Sequence, residues 1–145
     1  MENTLDELAL KFFKLYAQYE FHLKENGFFV ETGGKILVDW DRFVNQRIGS
    51  TFIEQMEDKS ESAEYILNSP PKKQIVNAQN QVVWDDVSNT ERSVQILFGH
   101  IARIRNNLFH GAKFNGTWFS PDRNILLIKN GIIVLETFKH TMFQS

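Results

Sequence analysis

The sequence predicts an all-α fold, a bundle of four to five helices whose loops admit a minor β-hairpin. Three observations lead to this prediction. Apolar residues recur every three or four positions over long segments, which is the period of a helix with one buried face. Capping residues precede these segments, and glycine or paired prolines follow them. A length of 145 residues and a hydrophobic content of 42% fit one domain, residues 1–145, with its own core.

The first helix is predicted to begin at a capping box formed by Thr4 and Glu7 and to stop at Asn26-Gly27. The apolar residues of this helix, spaced near 3.5, are Leu5, Leu8, Phe12, Leu15, Tyr19 and Leu23. Residues 27–38 are then expected to form a loop or a short hairpin around Gly33-Gly34.

A second helix is predicted to start at Asp39 and to continue through Phe52 and Met56. The apolar residues of its first part are Trp40, Phe43, Val44 and Ile48. A short helix near 61–67 must end before Pro70-Pro71, because proline cannot occupy a helix interior. In the long connection that follows, Ile75-Val76 and Val82-Val83-Trp84 are predicted to pair as a small hairpin.

The next helix is predicted over 90–109, with Asn89 as its N-cap and Gly111 as its end. Its apolar stripe falls at positions i, i+4, i+7 and i+11, which are Leu97, Ile101, Ile104 and Leu108. A loop then leads to Ser120-Pro121-Asp122, where an N-cap, a first-turn proline and an early acidic residue occur in the order typical of a helix start.

The last segment carries two conflicting signals. Asn130-Gly131 between two apolar runs is typical of a hairpin. Apolar residues nevertheless keep a three-to-four spacing across the glycine, at Ile125, Ile128, Ile132, Leu135, Phe138 and Met142. The spacing and the preceding cap favour a helix, in which Gly131 costs about 1 kcal/mol relative to alanine. A glycine at this position allows another helix to approach closely.

Composition excludes several classes of protein. The chain has no cysteine, which rules out disulfide scaffolds, thiolate metal sites and cysteine nucleophiles. The four histidines show no short metal-ligand spacing, so we expect neither a metal nor a cofactor. No apolar run approaches the ~20 residues of a membrane helix, and the N-terminus is acidic, so a cytoplasmic protein is expected. Thirteen phenylalanines suggest a large aromatic core or a surface buried between subunits.

A local cationic patch stands out in a chain of net charge −2. Residues 100–113, HIARIRNNLFHGAK, contain five basic or imidazole groups and no acidic residue. The five groups are His100, Arg103, Arg105, His110 and Lys113. Arginine offers a bidentate fork to phosphate, and histidine exchanges protons near neutral pH. Within the patch, Arg103, Asn107 and Lys113 are the candidate substrate-binding residues.

Helical geometry places most of these groups on one side. At about 100° per residue, Asn106, His110, Arg103, Asn107 and His100 are expected on the polar side of the helix. Arg105 falls on the other flank, and an offset of five residues sets it about 140° from His110. Either the helix frays near Gly111 and redirects His110, or a second chain completes the site. The alternative interpretation is that these residues have a structural role. An arginine beside an apolar stripe often packs its aliphatic stem on the stripe and keeps its charge in water. A histidine in the last turn of a helix interacts favourably with the helix dipole.

The string Arg105-Asn106-Asn107-Leu108-Phe109-His110 resembles the R-x4-6-H motif of HEPN domains, the higher eukaryotes and prokaryotes nucleotide-binding family. The longer string RIRNNLFHGAKF is similar to the motif region of small bacterial and plasmid-borne HEPN proteins. The resemblance covers about residues 89–145. Residues 1–68 are compatible with it only as a helical pattern.

The resemblance implies a helical bundle that forms a homodimer, with the two motifs facing each other across a cleft. It also implies metal-independent endoribonuclease activity of the kind found in toxins, anti-phage effectors and RNA-processing factors. Arg105 and His110 would then be catalytic, and Asn106 would orient the motif or contact phosphate. The expected products are a 2′,3′-cyclic phosphate and a 5′-hydroxyl. RNA is the expected substrate, and an antitoxin protein is a further partner that the resemblance admits.

Two other functions compete with the nuclease. The chain could be a catalytically inactive HEPN-like dimer that binds RNA, nucleotide or protein, since many members of the family are not nucleases. It could also be a structural helical interaction module in which the motif is coincidental. Toxicity on expression that is relieved by mutation of His110 would separate the nuclease from both.

Overall fold

A computed structural model describes the backbone of the chain except at residues 1, 88–90, 111–112, 115–116, 119–120 and 144–145. The side chains of residues 1–4, 88–90, 109–121 and 144–145 lie outside the described part. In the described part, five α-helices of eight residues or more and one single-turn helix account for most of the chain. The α-helices are α1 (Glu2–Glu25), α2 (Trp40–Arg47), α3 (Phe52–Met56), α4 (Ser60–Asn68), α5 (Val94–His110) and α6 (Pro121–Thr137). Short 3-10 helices span Glu57–Lys59 and Lys139–Phe143. The prediction of a mainly helical fold with four to five helices and minor hairpins is confirmed.

Three separate antiparallel hairpins connect the helices in the described residues. The strands are β1 (Phe29–Thr32), β2 (Lys35–Val38), β3 (Lys73–Val76), β4 (Val82–Asp85), β5 (Lys113–Phe114) and β6 (Thr117–Trp118). Gly33 and Gly34 turn the first hairpin with positive φ angles of 57° and 81°, a conformation that favours glycine. The hairpins predicted within 27–38 and across 75–84 are therefore confirmed. The third hairpin lies in a segment that the sequence predicted as a loop.

The end of α1 is as predicted, and its start is not. The helix begins at Glu2, so Thr4 lies inside it and is not its N-cap. The predicted capping box is therefore wrong, because two earlier residues already have helical backbone. At the other end Gly27 has φ +88°, and the N–H of Phe28 donates to the carbonyl of Leu23 at 2.8 Å. This bonding pattern is the Schellman motif that typically ends a helix at glycine.

The predicted second helix is in fact two helices. Asp39 caps α2 by accepting a hydrogen bond from the backbone N–H of Arg42 at 3.3 Å, as the sequence indicates. The helix then ends at Arg47, and the continuation to Met56 is wrong. Gly49 has φ +85° and its N–H donates to the carbonyl of Val44 at 2.8 Å, so the chain leaves the helical path before α3 begins.

Ser93, not Asn89, caps α5. The Ser93 Oγ accepts a hydrogen bond from the backbone N–H of Ile96 at 3.1 Å, and the helix begins at Val94. The predicted start at residue 90 is wrong, since residues 91–93 are not helical; Asn89 and the predicted stop at Gly111 lie outside the described residues. A serine three residues before a free N–H supplies the acceptor that a helix start requires.

The last segment is helical, as the apolar spacing predicts. Helix α6 begins at Pro121 and runs through Gly131 to Thr137. Gly131 is buried, and a Cβ built on it would lie 3.1 Å from Cε2 of Phe12 in α1. The predicted close approach of a second helix is confirmed, because the Phe12 ring occupies the space that a side chain at 131 would need.

An aromatic cluster forms the centre of the core. Rings from α1, α2, α5 and the turn after α6 contact one another. The fully or nearly fully buried members include Phe12, Tyr16, Tyr19, Phe43, Phe98 and Phe138. Most of the phenylalanines whose side chains are described belong to this core, whereas Phe21, Phe29 and Phe143 are exposed. None of the described helices combines the length and hydrophobicity needed to cross a bilayer.

Candidate functional site

Helix α5 carries the predicted site and is held firmly by the core. The four residues of its apolar stripe are at most 9% exposed: Leu97, Ile101, Ile104 and Leu108. The helix packs on α2 and α4 and also contacts α1 and α6. Burial of this stripe fixes the rotation of α5 about its axis, and this rotation decides where each polar residue of the motif lies.

His100 is buried and does not belong to the exposed polar side. Only 5% of its surface is accessible. The prediction from the helical wheel is wrong here because the buried sector of α5 is wider than its apolar stripe and includes His100, which lies about 70° from the centre of that stripe. Burial lowers the pKa of His100, and the neighbouring charge of Arg103 lowers it further. The side chain therefore favours its neutral form and contributes little to the cationic patch.

Arg103, Asn106 and Asn107 lie together along one side of α5, as predicted. They line an open depression of about 350 Å³ with Lys73 and Gln74 of β3. Gly99 and Ala102 complete its lining. Among the described residues, no acidic side chain lines this depression, which we call the α5–β3 depression. Its two cations are therefore not neutralised by a carboxylate in the lining itself.

Asn107 has a structural partner. Its Nδ2 donates to the backbone carbonyl of Lys72 at 2.7 Å, in a half-buried position. The bond attaches the segment before β3 to α5. This donor is used within the fold, and it fixes the backbone of Lys72, the neighbour of Lys73, against α5.

Arg105 lies on the opposite flank of α5, where the sequence places it. Its Cζ lies 6.0 Å from the centroid of the Tyr16 ring in α1. Its Nη1 donates to Oδ1 of Asn106 at 3.3 Å. Asn106 thus contacts Arg105 on one side and lines the α5–β3 depression on the other. The arginine and the depression are adjacent through Asn106 but do not share one cavity.

Tyr16 forms the surface beneath the arginine. Its ring is 5% exposed and lies 5.2 Å from the ring of Trp40. Burial raises the pKa of the Tyr16 hydroxyl above its usual range, so the phenol stays protonated at neutral pH. Arg105 therefore lies over an uncharged aromatic face, an arrangement that stabilises a guanidinium and limits its motion.

For two further predicted residues, His110 and Lys113, the structure describes only the backbone. His110 is the last residue of α5, and Lys113 is the first residue of β5. Their side chains lie outside the described residues, as do all contacts between Arg105 and His110. The 140° separation expected from ideal helical geometry stays a prediction.

Sequence reasoning missed Lys73 and Gln74. They are about thirty residues from the motif along the chain, and only packing of β3 against α5 brings them to it. The predicted hairpin at 75–84 is the one signal that marks this segment, but it gives no position relative to α5. Among the described residues, no group of three or more histidine, aspartate or glutamate side chains is arranged to hold a metal ion.

Comparison of the chain with protein-family models, with curated proteins and with solved structures finds no match.

Proposed function

We propose that this chain is a HEPN-like, metal-independent endoribonuclease that acts as a homodimer in the cytoplasm. The observation that carries the proposal is the string from Arg105 to His110 in the last turns of a helix with a fully packed apolar face. A catalytic group is useful only if its position is fixed, and α5 provides a rigid support for the motif.

The proposed chemistry needs only side chains of the motif. An imidazole, with an unperturbed pKa near 6.5, accepts the proton of the ribose 2′-hydroxyl. The 2′ oxygen then attacks the adjacent phosphorus, and the bond from phosphorus to the 5′ oxygen breaks. A proton donated to that 5′ oxygen completes the reaction and leaves a 2′,3′-cyclic phosphate and a 5′-hydroxyl. His110 is the proposed proton carrier, and Arg105 stabilises the negative charge that builds up on the nonbridging oxygens.

Two features of the site support roles for Arg105 and Asn106. The Tyr16 ring and the Asn106 amide hold the guanidinium from two sides. Asn106 also borders the α5–β3 depression, so it can position the arginine relative to a strand bound there. Because an offset of five residues sets Arg105 about 140° from His110 on an ideal helix, we propose that a second copy of the chain completes each site.

The direct test is cleavage of a labelled single-stranded RNA by purified wild type, Arg105→Ala and His110→Ala. We expect each substitution to lower the rate by about 10²–10⁴-fold, since positioned acid–base and charge-stabilising groups contribute on this scale. His140→Ala is the matched control, because His140 is exposed on the 3-10 helix after α6. Activity should persist in EDTA, and the 3′ ends should be cyclic phosphates. Full activity in both motif variants, with unchanged circular dichroism spectra, would refute the nuclease assignment.

A second candidate function is an inactive HEPN-like dimer that binds RNA. The open α5–β3 depression favours it independently of catalysis, since its described lining holds two cations and no acidic residue. Binding of RNA without cleavage, together with absence of toxicity on expression, would support this function over the first. Growth arrest that His110→Ala relieves would support the nuclease. Sedimentation at micromolar concentration tests the dimer in either case, and co-purification from its native operon tests for an antitoxin.

A further inference from the structure

Lys73 faces the same depression as the motif helix, although it belongs to a different element. It begins β3 and lines the α5–β3 depression opposite Arg103 and Asn106 of α5. Asp85 is its cross-strand neighbour in the hairpin. The ion pairs among the described residues do not include one between Lys73 and Asp85. Lys72 instead pairs with Asp86, the residue after β4, with 3.8 Å between its Nζ and Oδ1 of Asp86. The ammonium of Lys73 therefore keeps its charge available to the depression.

Arg103 offers a second cation with unused hydrogen-bonding capacity. Its Nε is buried, and no described acceptor lies within hydrogen-bond distance of it. A buried donor without a partner is unfavourable, so an acceptor that can reach Arg103 is favoured. The charge of Arg103 also acts on buried His100, whose pKa it helps to lower. Arg103, which lines the depression, thus carries both a positive charge and an unsatisfied donor.

Small residues form the part of the depression that lies on α5 between the polar groups. Gly99 and Ala102 are the α5 residues between the polar groups, and a Cβ added to Gly99 would meet no heavy atom within 4 Å. Small residues at these positions leave room for a strand to lie along the helix. The volume of about 350 Å³ is open rather than enclosed, which suits a polymer better than a small molecule.

Two contacts fix the β3 hairpin beside α5. Asn107 holds the carbonyl of Lys72, as described above, and the guanidinium of Arg123 in α6 donates to the carbonyl of Pro70. These bonds attach the chain immediately before Lys73 to two helices. The lysine is therefore presented from an anchored segment at a set distance from Arg103.

We propose that Lys73, Arg103 and Asn106 form a phosphate-binding subsite for a single RNA strand, next to the cleavage site at Arg105. This inference rests on the proposed function for the identity of its ligand. Lys73 and Arg103 neutralise backbone phosphates, and the Asn106 amide hydrogen-bonds to the strand while its oxygen holds Arg105. Gln74 lies at the edge of the same surface and adds a neutral donor. The strand passes from the depression over Asn106 to the arginine.

The test measures binding separately from cleavage. Wild type and Lys73→Gln are titrated with a fluorescent 2′-O-methylated RNA of about 12 nucleotides, which cannot be cut because its 2′ oxygens are blocked. Each neutralised phosphate of a single strand contributes about 0.7 to the slope of the logarithm of the binding constant against the logarithm of salt concentration. Loss of one such contact therefore corresponds to about a fivefold change in Kd at about 0.1 M salt. We therefore expect Lys73→Gln to bind about fivefold more weakly and with a slope lower by about 0.7. Lys35→Gln is the matched control, since Lys35 is the exposed first residue of β2 in the β1–β2 hairpin. Lys73→Arg should retain binding.

Each outcome decides one claim. Equal Kd and equal salt slope for Lys73→Gln and Lys35→Gln would overturn the subsite, even if wild type cleaves ordinary RNA. Lys73-dependent binding by a chain that cleaves no RNA would uphold the subsite and refute the nuclease. Absence of RNA binding by wild type at low salt would overturn the subsite, and cleavage assays on unmodified RNA would then judge the nuclease by themselves.

Discussion

The hydroxyl of Tyr19 joins α1 to the last turn of α6. It donates a hydrogen bond to the backbone carbonyl of Leu135, and the tyrosine itself is fully buried. Carbonyls in the last turn of a helix have no intrahelical donor and need another partner. Tyr19 therefore provides the partner from within the core, where water cannot replace it.

Tyr19→Phe isolates the contribution of this bond. The ring keeps its contacts with Trp40 and Phe43, whose centroids both lie 6.1 Å away, so no cavity forms. The Leu135 carbonyl, however, loses its donor in a buried environment, which costs about 1–3 kcal/mol. For a chain of this size, about 3 °C of Tm is lost per kcal/mol, so Tm should fall by about 3–9 °C.

Urea denaturation followed by circular dichroism measures this loss as a lower midpoint with an unchanged m-value. Tyr65→Phe is the control, because Tyr65 is half-buried in α4 and packs against the same core. If Tyr19→Phe destabilised the protein no more than Tyr65→Phe does, the assignment of this hydroxyl as the partner of the α6 terminus would be wrong.

Three further predictions concern the interior and the site. Gly131→Val should destabilise the protein by about 1–3 kcal/mol in urea denaturation, because its Cβ would lie 3.1 Å from the buried Phe12 ring; Gly131→Ala should cost far less, as helix propensity offsets the contact. Burial lowers the pKa of His100 in the folded state, so the unfolded state binds a proton on this imidazole at higher pH than the folded state does. The free energy of unfolding should therefore fall as pH drops below about 6.5. Denaturation measured from pH 7.5 to 5 should show a less steep fall in His100→Gln. Asn107→Ala should lose about 0.5–1.5 kcal/mol, because the Lys72 carbonyl loses its donor, and hydrogen exchange should rise in the β3 hairpin while α5 is unaffected.

The sequence predicts elements well where the signal is local. Apolar spacing specifies α1 and α6, and two glycines specify the turn of the first hairpin. In each case the residues that carry the signal belong to the element that they specify. The same local rules failed at Thr4 and Asn89, because a good capping residue indicates a possible helix start, and neighbouring residues decide whether the start is used. They failed again at Ile48, where the apolar pattern continues but Gly49 turns the chain out of the helix.

The candidate site shows the same division. Helical periodicity correctly separated Arg105 from Arg103, since rotation about a helix axis depends only on sequence position. It did not predict the burial of His100, which depends on how much of the α5 circumference its neighbours cover. It also could not show that the Asn107 amide donates to a backbone carbonyl 35 residues away.

The sequence by itself determined a helical domain without cysteine, and a cationic motif on one amphipathic helix. These properties follow from composition and from a period of 3.6 residues, so no tertiary contact is needed to infer them. Only the tertiary structure decided that Lys73 lies beside Arg103, that Tyr16 lies beneath Arg105, and that His100 is buried. Such pairs are far apart along the chain, and packing of the shared core brings them together, so no local pattern in the sequence records their proximity.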